Sequence, residues 1–138
     1  MTTEYKKPLP RPAQPEFTAP FWEAAKRHEL VIQHCSQHDG FFFYPRERCP
    51  VCLSDRLEWA KVSGRGHVYA FTIPYQAAHP AFTEDAPYVY AAIQLDEGAR
   101  IIGNVVGIEP TDVKVNMPVV AEFDDVTPEW TLVKWRPA

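Results

Sequence analysis

From residue 67 onward, β-branched and aromatic residues gather in short runs divided by polar, turn-forming stretches. The runs at 67–73, 88–95, 100–106, 119–124 and 130–135 have the length and make-up of strands. Asp96-Glu97-Gly98-Ala99 joins the second run to the third as a hairpin with a glycine turn. Five short strands with few helices predict a small Greek-key barrel of the OB type, with an SH3-like barrel as the nearest competitor. Upstream the pattern changes. Residues 19–28 predict one helix, with Thr18 as N-cap and Pro20 in the first turn, where a missing N–H costs nothing. Phe21, Trp22 and Ala25 give that helix an apolar side, and Lys26, Arg27 and His28 complement its negative end. Residues 30–33 and 41–44 predict two further strands. Strand side chains alternate, so Phe41, Phe42, Phe43 and Tyr44 cannot share one face; two cover the hairpin and two face another surface.

The turns beside those two strands carry the chain's most specific chemistry. Cys35-x-x-His38 and Cys49-x-x-Cys52 are two ligand pairs, and together they use every cysteine present. Two residues between ligands let a tight turn aim both side chains at one point. Two such turns facing each other supply the four corners of a tetrahedron, the geometry of a closed structural zinc site. An iron site of the rubredoxin kind takes four thiolates, so the imidazole favours zinc. His34 competes for the fourth position because it neighbours Cys35; the spacing of His38 mirrors the second pair and is preferred. A disulfide framework fits poorly with an odd cysteine count and no secretory signal. A redox Cys-x-x-Cys is expected beside a βαβ pattern, which is missing. With zinc bound, no thiol remains for nucleophilic work.

Composition narrows the picture. Fourteen prolines against six glycines limit helix and favour strands with rigid loops. Pro8, Pro10, Pro12 and Pro15 make residues 1–17 an extended arm, a free tail on a monomer or a strap around a partner. The resulting organisation is the arm at 1–17, helix plus zinc ribbon at 18–62, and barrel at 63–138. No apolar run approaches the ~20 residues of a membrane span, and the N-terminus has no signal-peptide core, so a soluble cytoplasmic protein is expected. Residues 71–138 carry four Lys/Arg against ten Asp/Glu, whereas residues 1–70 carry ten against eight. An acidic barrel repels a phosphate backbone, which argues against nucleic acid and directs anions to the N-terminal half.

Two further features invite a functional reading. The loop at 74–87 holds Tyr75, His79, Phe82, Glu84 and Asp85 and is longer than usual connections. No cysteine, serine–histidine pair or carboxylate pair is arranged around His79, so it reads as a surface histidine rather than a catalytic one. Ser63-Gly64-Arg65-Gly66 joins ribbon to barrel, and Arg65 is either a hinge residue or a ligand for phosphate or carboxylate.

The order of these pieces resembles a known family. Phe21-Trp22-Glu23, Leu30, Pro45-Arg46 before Cys49-Pro50-x-Cys52, Ser63-Gly64-Arg65-Gly66, Tyr69-x-Phe71-Thr72, Pro87-Tyr88 and Leu95-Asp96-Glu97-Gly98 carry the likeness. They resemble the acyl-CoA-associated proteins, long catalogued as a domain of unknown function, in which a rubredoxin-like zinc ribbon precedes an OB-fold barrel. That family usually has a cysteine where this chain has His38, followed directly by glycine; here Asp39 intervenes before Gly40. The resemblance implies a mostly β, non-catalytic accessory subunit of a thiolase-superfamily enzyme, whether thiolase, acyltransferase or steroid side-chain aldolase. It implies a structural zinc and a hetero-oligomer in lipid or steroid metabolism. On that reading Phe21, Trp22, Phe42 and Tyr44 are candidate partner contacts, and Arg46 and Arg65 candidate contacts for CoA phosphates. The rivals are a single-stranded nucleic-acid binder of the OB and ribbon kind, and a stand-alone enzyme using His79 or Tyr75.

A ribbon this small gains its order from the metal. Cys49→Ala is expected to abolish zinc binding and unfold the ribbon while the barrel survives, measured by metal analysis together with backbone NMR.

Overall fold

The computed structural model describes residues 4–138; the first three residues of the expected arm lie outside them. The helix α1 runs Pro15–Lys26, four residues earlier than the pattern suggests. Pro15 opens it, its fixed φ being already helical, so the arm ends at Gln14 rather than at residue 17. Thr18 is therefore inside the first turns, where its hydroxyl donates to the Gln14 carbonyl at 3.2 Å instead of capping. Pro20 falls within the helix. Phe21, Ala24 and Ala25 form the buried stripe at helical spacing. His28 adopts a left-handed φ of 60°, and the Glu29 and His28 N–H groups donate back to Ala24 and Ala25, both at 2.9 Å. That pairing is a Schellman stop, which ends the helix at Lys26 instead of residue 28.

Three strands make the ribbon sheet, β1 (Val31–Cys35), β2 (Gly40–Phe42) and β3 (Leu57–Lys61), with β1 in the centre. β3 has no counterpart among the expected strands. Its single exposed-to-inward alternation, in Leu57-Glu58-Trp59, is short and flanked by charge, so the signal is weak without β1 to pair with. β2 stops at Phe42. Beyond it, buried Gln33 holds the chain: its amide donates to the Arg46 carbonyl at 2.9 Å and accepts from the Arg46 N–H at 2.7 Å.

The barrel comprises β4 (Arg65–Thr72), β5 (Val89–Leu95), β6 (Arg100–Val105), β7 (Pro118–Asp125) and β8 (Thr131–Pro137). It closes in the order β4-β5-β6-β8-β7, with β6 and β8 parallel and every other pair antiparallel. That closure is the OB arrangement and decides against the SH3-like alternative. Along β5 the residues Val89, Ala91, Ile93 and Leu95 point inward while Tyr90, Ala92 and Gln94 point out. Trp135 fills the centre, fully buried.

The main core is not confined to the barrel. Phe21, Leu30, Ile32 and Val62 belong to the same buried cluster as Val68, Ile93 and Trp135. Helix and ribbon base are thus fused to the barrel across Ser63. The His28 ring stacks on Phe123 at 5.4 Å, and its Nε2 meets the Asp125 carboxylate at 2.9 Å. The Thr131 hydroxyl and then His28 hold the Asp125 carboxyl below its usual range. The arm is also attached, since Lys7 pairs with Asp85 in the long loop. No helix among the described residues is long and apolar enough to cross a membrane.

Inward-facing Gly103 gives Trp135 its room. A Cβ there would lie 2.9 Å from Trp135 Cδ1. Gly103→Ala is expected to destabilise the chain by about 1–3 kcal/mol through overpacking, read as a lower urea midpoint.

Candidate metal centre and adjoining groove

Cys35 closes β1, and the four-residue turn after it delivers His38; Cys35 and Gly40 are then paired across the hairpin. The second turn, ahead of β3, delivers Cys49 and Cys52. The four donor atoms lie within 4.8 Å of one another. Cys35 Sγ is 3.6 Å from Cys52 Sγ, and His38 Nδ1 is 3.1 Å from Cys49 Sγ and 4.0 Å from Cys52 Sγ. Tetrahedral zinc with ordinary Zn–S and Zn–N bonds sets its ligands roughly 3.5–3.8 Å apart. The donor set therefore fits zinc in both type and span.

Local backbone builds the two turns alike. The residue after each second ligand is left-handed, Asp39 with φ 54° and Leu53 with φ 61°. Asp39 tolerates this conformation better than most residues because its short carboxylate bonds locally. The turn therefore closes with a non-glycine residue directly after the ligand. The displaced glycine has its own use. A Cβ on Gly40 would stand 2.3 Å from His38 Nε2, so the imidazole needs that position bare.

The rival ligand, His34, is already engaged on both ring nitrogens. Nδ1 meets Glu58 at 3.0 Å and Nε2 meets Asp39 at 2.9 Å. Those two carboxylates, Asp39 foremost, raise its pKa. His38, and not His34, lies with the three sulfurs as the fourth candidate donor.

Two of the three thiols are prepared for ionisation. Burial pushes Cys35 up, but the backbone N–H groups of His38 and Gln37 and the His38 ring outweigh it and leave the thiol below its ordinary value. Burial is likewise overcome at Cys49 by N–H donors of Cys52 and Val51; the Val51 N–H lies 3.4 Å from the sulfur. At Cys52 the Ser54 backbone favours the thiolate, but burial and the two neighbouring sulfurs hold the thiol up. Three sulfurs this close do not all ionise without a cation between them, which a bound zinc supplies.

Of the expected partner contacts, Phe21 and Phe42 are only 8% exposed. Phe21 is in the main core, and Phe42 packs on Cys35 and Cys49. Both are corrected to internal roles, because the neighbouring apolar surfaces consume them. Trp22 is half-buried, against Phe21 and Trp130, and Tyr44 is 50% exposed. Phe41 and Phe43 lean on the main core, so a single aromatic of the four covers the metal turns. His79 is exposed and caps a 3-10 turn, Pro80–Asp85, its Nδ1 accepting the Ala81 N–H at 3.0 Å. Tyr75 lies exposed on the same loop. Arg46 and Arg65 are both exposed but are not brought to one groove.

Trp22 and Tyr44 instead share an apolar groove of 540 Å³ with the arm and the outer face of the barrel. Tyr90, Ile102, Pro10 and Pro12 join them there. The sequence held a signal for this: Tyr90 and Ile102 are apolar at outward positions, where alternation calls for polar residues.

Residues 22–58 match the family model described as ChsH2, rubredoxin-like zinc ribbon domain, and residues 59–124 match ChsH2, C-terminal OB-fold domain. A probable enoyl-CoA hydratase alpha subunit of Thermomonospora curvata is 40% identical over 129 residues, covering 94% of this chain and 40% of the relative. The chain thus spans about two fifths of that relative. A DUF35 domain-containing scaffold protein of Methanocaldococcus jannaschii is 39% identical over 104 residues, covering 74% of this chain and 73% of the relative. A solved structure described as an Ltp2-ChsH2(DUF35) aldolase superposes with a TM-score of 0.80 at 38% identity, covering 92% of this chain and 98% of its own.

Gly40→Ala removes no ligand yet fills the space beneath the imidazole. It is expected to lower zinc affinity by about tenfold or more, measured by competition with a chromogenic chelator.

Proposed function

The chain belongs to the DUF35 family, of the ChsH2 zinc-ribbon and OB-fold type, and from that premise we propose that it is a non-catalytic scaffold subunit. Its partner is a thiolase-superfamily enzyme acting on acyl-CoA thioesters. The observation that carries the reading is the apolar groove at the seam of arm, helix, ribbon and barrel, with Trp22 and Tyr44 at its rim. Half-exposed aromatics around an apolar hollow suit the core of a protein interface. The sulfur chemistry agrees. All three thiols and the imidazole converge on one point, where a bound zinc acts as a structural staple and leaves no thiolate to attack a thioester.

The relatives lend support in their own terms. One is named a scaffold protein, one is described as an Ltp2-ChsH2(DUF35) aldolase, and one is named a probable enoyl-CoA hydratase alpha subunit. The hydratase subunit is far longer than this chain, so its activity is not carried over. A role at the mouth of the partner's substrate site fits the groove's position beside the barrel.

The second reading, a single-strand nucleic-acid binder, has one observation in its favour. Tyr69, Tyr75 and Tyr90 are exposed on or next to barrel strands, where bases stack in other OB-folds. Against it, the Arg100 guanidinium already covers Tyr69 at 3.7 Å, and residues 71–138 carry a net charge of −6.

Tyr44 is exposed enough to be changed without disturbing the core. Tyr44→Arg is expected to weaken co-purification with a co-expressed thiolase-superfamily partner by about tenfold or more while the melting temperature stays unchanged. Undiminished co-purification, or a chain that hydrolyses or cleaves the CoA thioester alone, counts against the scaffold role.

A further inference from the structure

A second groove, polar and 220 Å³ in volume, lies on the opposite logic from the apolar one. It sits where ribbon meets barrel and takes Lys61 from β3, Arg65 from β4 and Arg136 from β8. The strand register places the two arginines together. Arg65 pairs with Val120, and Val120 pairs with Arg136, so all three occupy one row across the sheet. Their neighbours Gly66, Val119 and Trp135 face inward, which turns the row outward. Two strand spacings separate the arginine backbones by about 10 Å, within reach of one small anion between the side chains.

The charges there are not used up. Arg65 and Arg136 make no ion pair among the described residues. Among the described residues Glu29 is the one carboxylate lining the groove, shared between Lys61 and Arg27 at 3.7 Å each, while Glu97 beside it is taken by the Ser63 N–H at 2.9 Å. His28, also on the groove, is held by Asp125. In residues 71–138 cations are scarce, four against ten acids. Lys134 pairs with Asp124 and Arg100 lies on Tyr69, which leaves Lys114 and Arg136 without an ion pair among the described residues, and of these two only Arg136 lies on the groove. Gathering it with Arg65 and Lys61 on an acidic barrel costs repulsion that an internal acid could have relieved.

We infer that Lys61, Arg65 and Arg136 form a binding site for a phosphate group. The planar guanidinium fork matches phosphate oxygens two at a time, and the ammonium of Lys61 adds a point charge. The groove is large enough for a phosphate carried on a small organic residue and too polar for an acyl chain. Arg46, expected from the sequence to share this task, stands outside the groove.

The zinc-loaded full chain is titrated with inorganic phosphate and, separately, with CoA, both followed by phosphorus NMR. Saturable binding is expected, falling with added salt, weakened about tenfold or more by R136Q and by R65Q, and unchanged by R46Q. CoA binding more tightly than inorganic phosphate identifies the coenzyme as the source of the group; equal affinity identifies a free phosphate anion. The CoA arm rests on the acyl-CoA partnership proposed above, and the inorganic phosphate arm does not. Retained phosphate binding without CoA binding therefore counts against that partnership and upholds the site. No saturable shift with either probe at millimolar concentration, or R136Q binding as the wild type does, overturns it.

Discussion

Convergence of three sulfurs and one imidazole on a single point is the constraint on which the ribbon depends. Its buried apolar support is slight: Cys35, Phe42 and Cys49, with Cys52 and Leu57 leaning on them. Two of those three buried residues are themselves ligands. Without a cation, the same contacts that pack the ribbon set thiols against one another. With one, mutual repulsion becomes coordination, and free energy of binding becomes free energy of folding. β1 transmits this order, since it is central in the sheet and ends on Cys35.

The other end of β1 answers to a different force. Leu30 and Ile32 are buried with the barrel's interior, and Phe21 joins them from the helix. The strand is therefore held by metal at one end and by apolar burial at the other. His28 fastens the helix end to β7 by stacking and by its contact with Asp125, and Lys7 fastens the arm to the long loop. Ribbon and barrel thus share one buried cluster across the seam. Both grooves are built along that seam, one apolar and one basic. Opposite surface chemistries within one small chain suit a subunit that touches both a protein and a charged ligand.

Much of the site was legible in the sequence. Ligand spacing depends on turn geometry, which is local, so Cys35, Cys49 and Cys52 were identifiable without any tertiary contact, and His38 was preferred over His34 on spacing alone. Barrel strands were equally visible, because a buried strand face writes itself as runs of β-branched and aromatic residues. The helix was legible in kind but displaced in register. Two signals competed, Pro15 and Thr18 at the start, and His28 accepted a left-handed φ that sequence patterns reserve for glycine. β3 is not legible in the sequence because its pairing with β1 is long-range and its own alternation is brief.

By itself, then, the sequence determined the three sulfur donors and a spacing preference for His38, the barrel strands, the proline arm and the acidic bias of the C-terminal half. Each of these follows from interactions among near neighbours or from counting charges. Tertiary structure alone decided which aromatics were left at the surface, because burial of Phe21 and Phe42 depends on what packs over them. It alone released His34 from the metal, by placing Glu58 and Asp39 on its two nitrogens. It also separated Arg46 from Arg65 and set Arg136 beside the latter, a matter of strand register between segments some seventy residues apart, which no local pattern can encode.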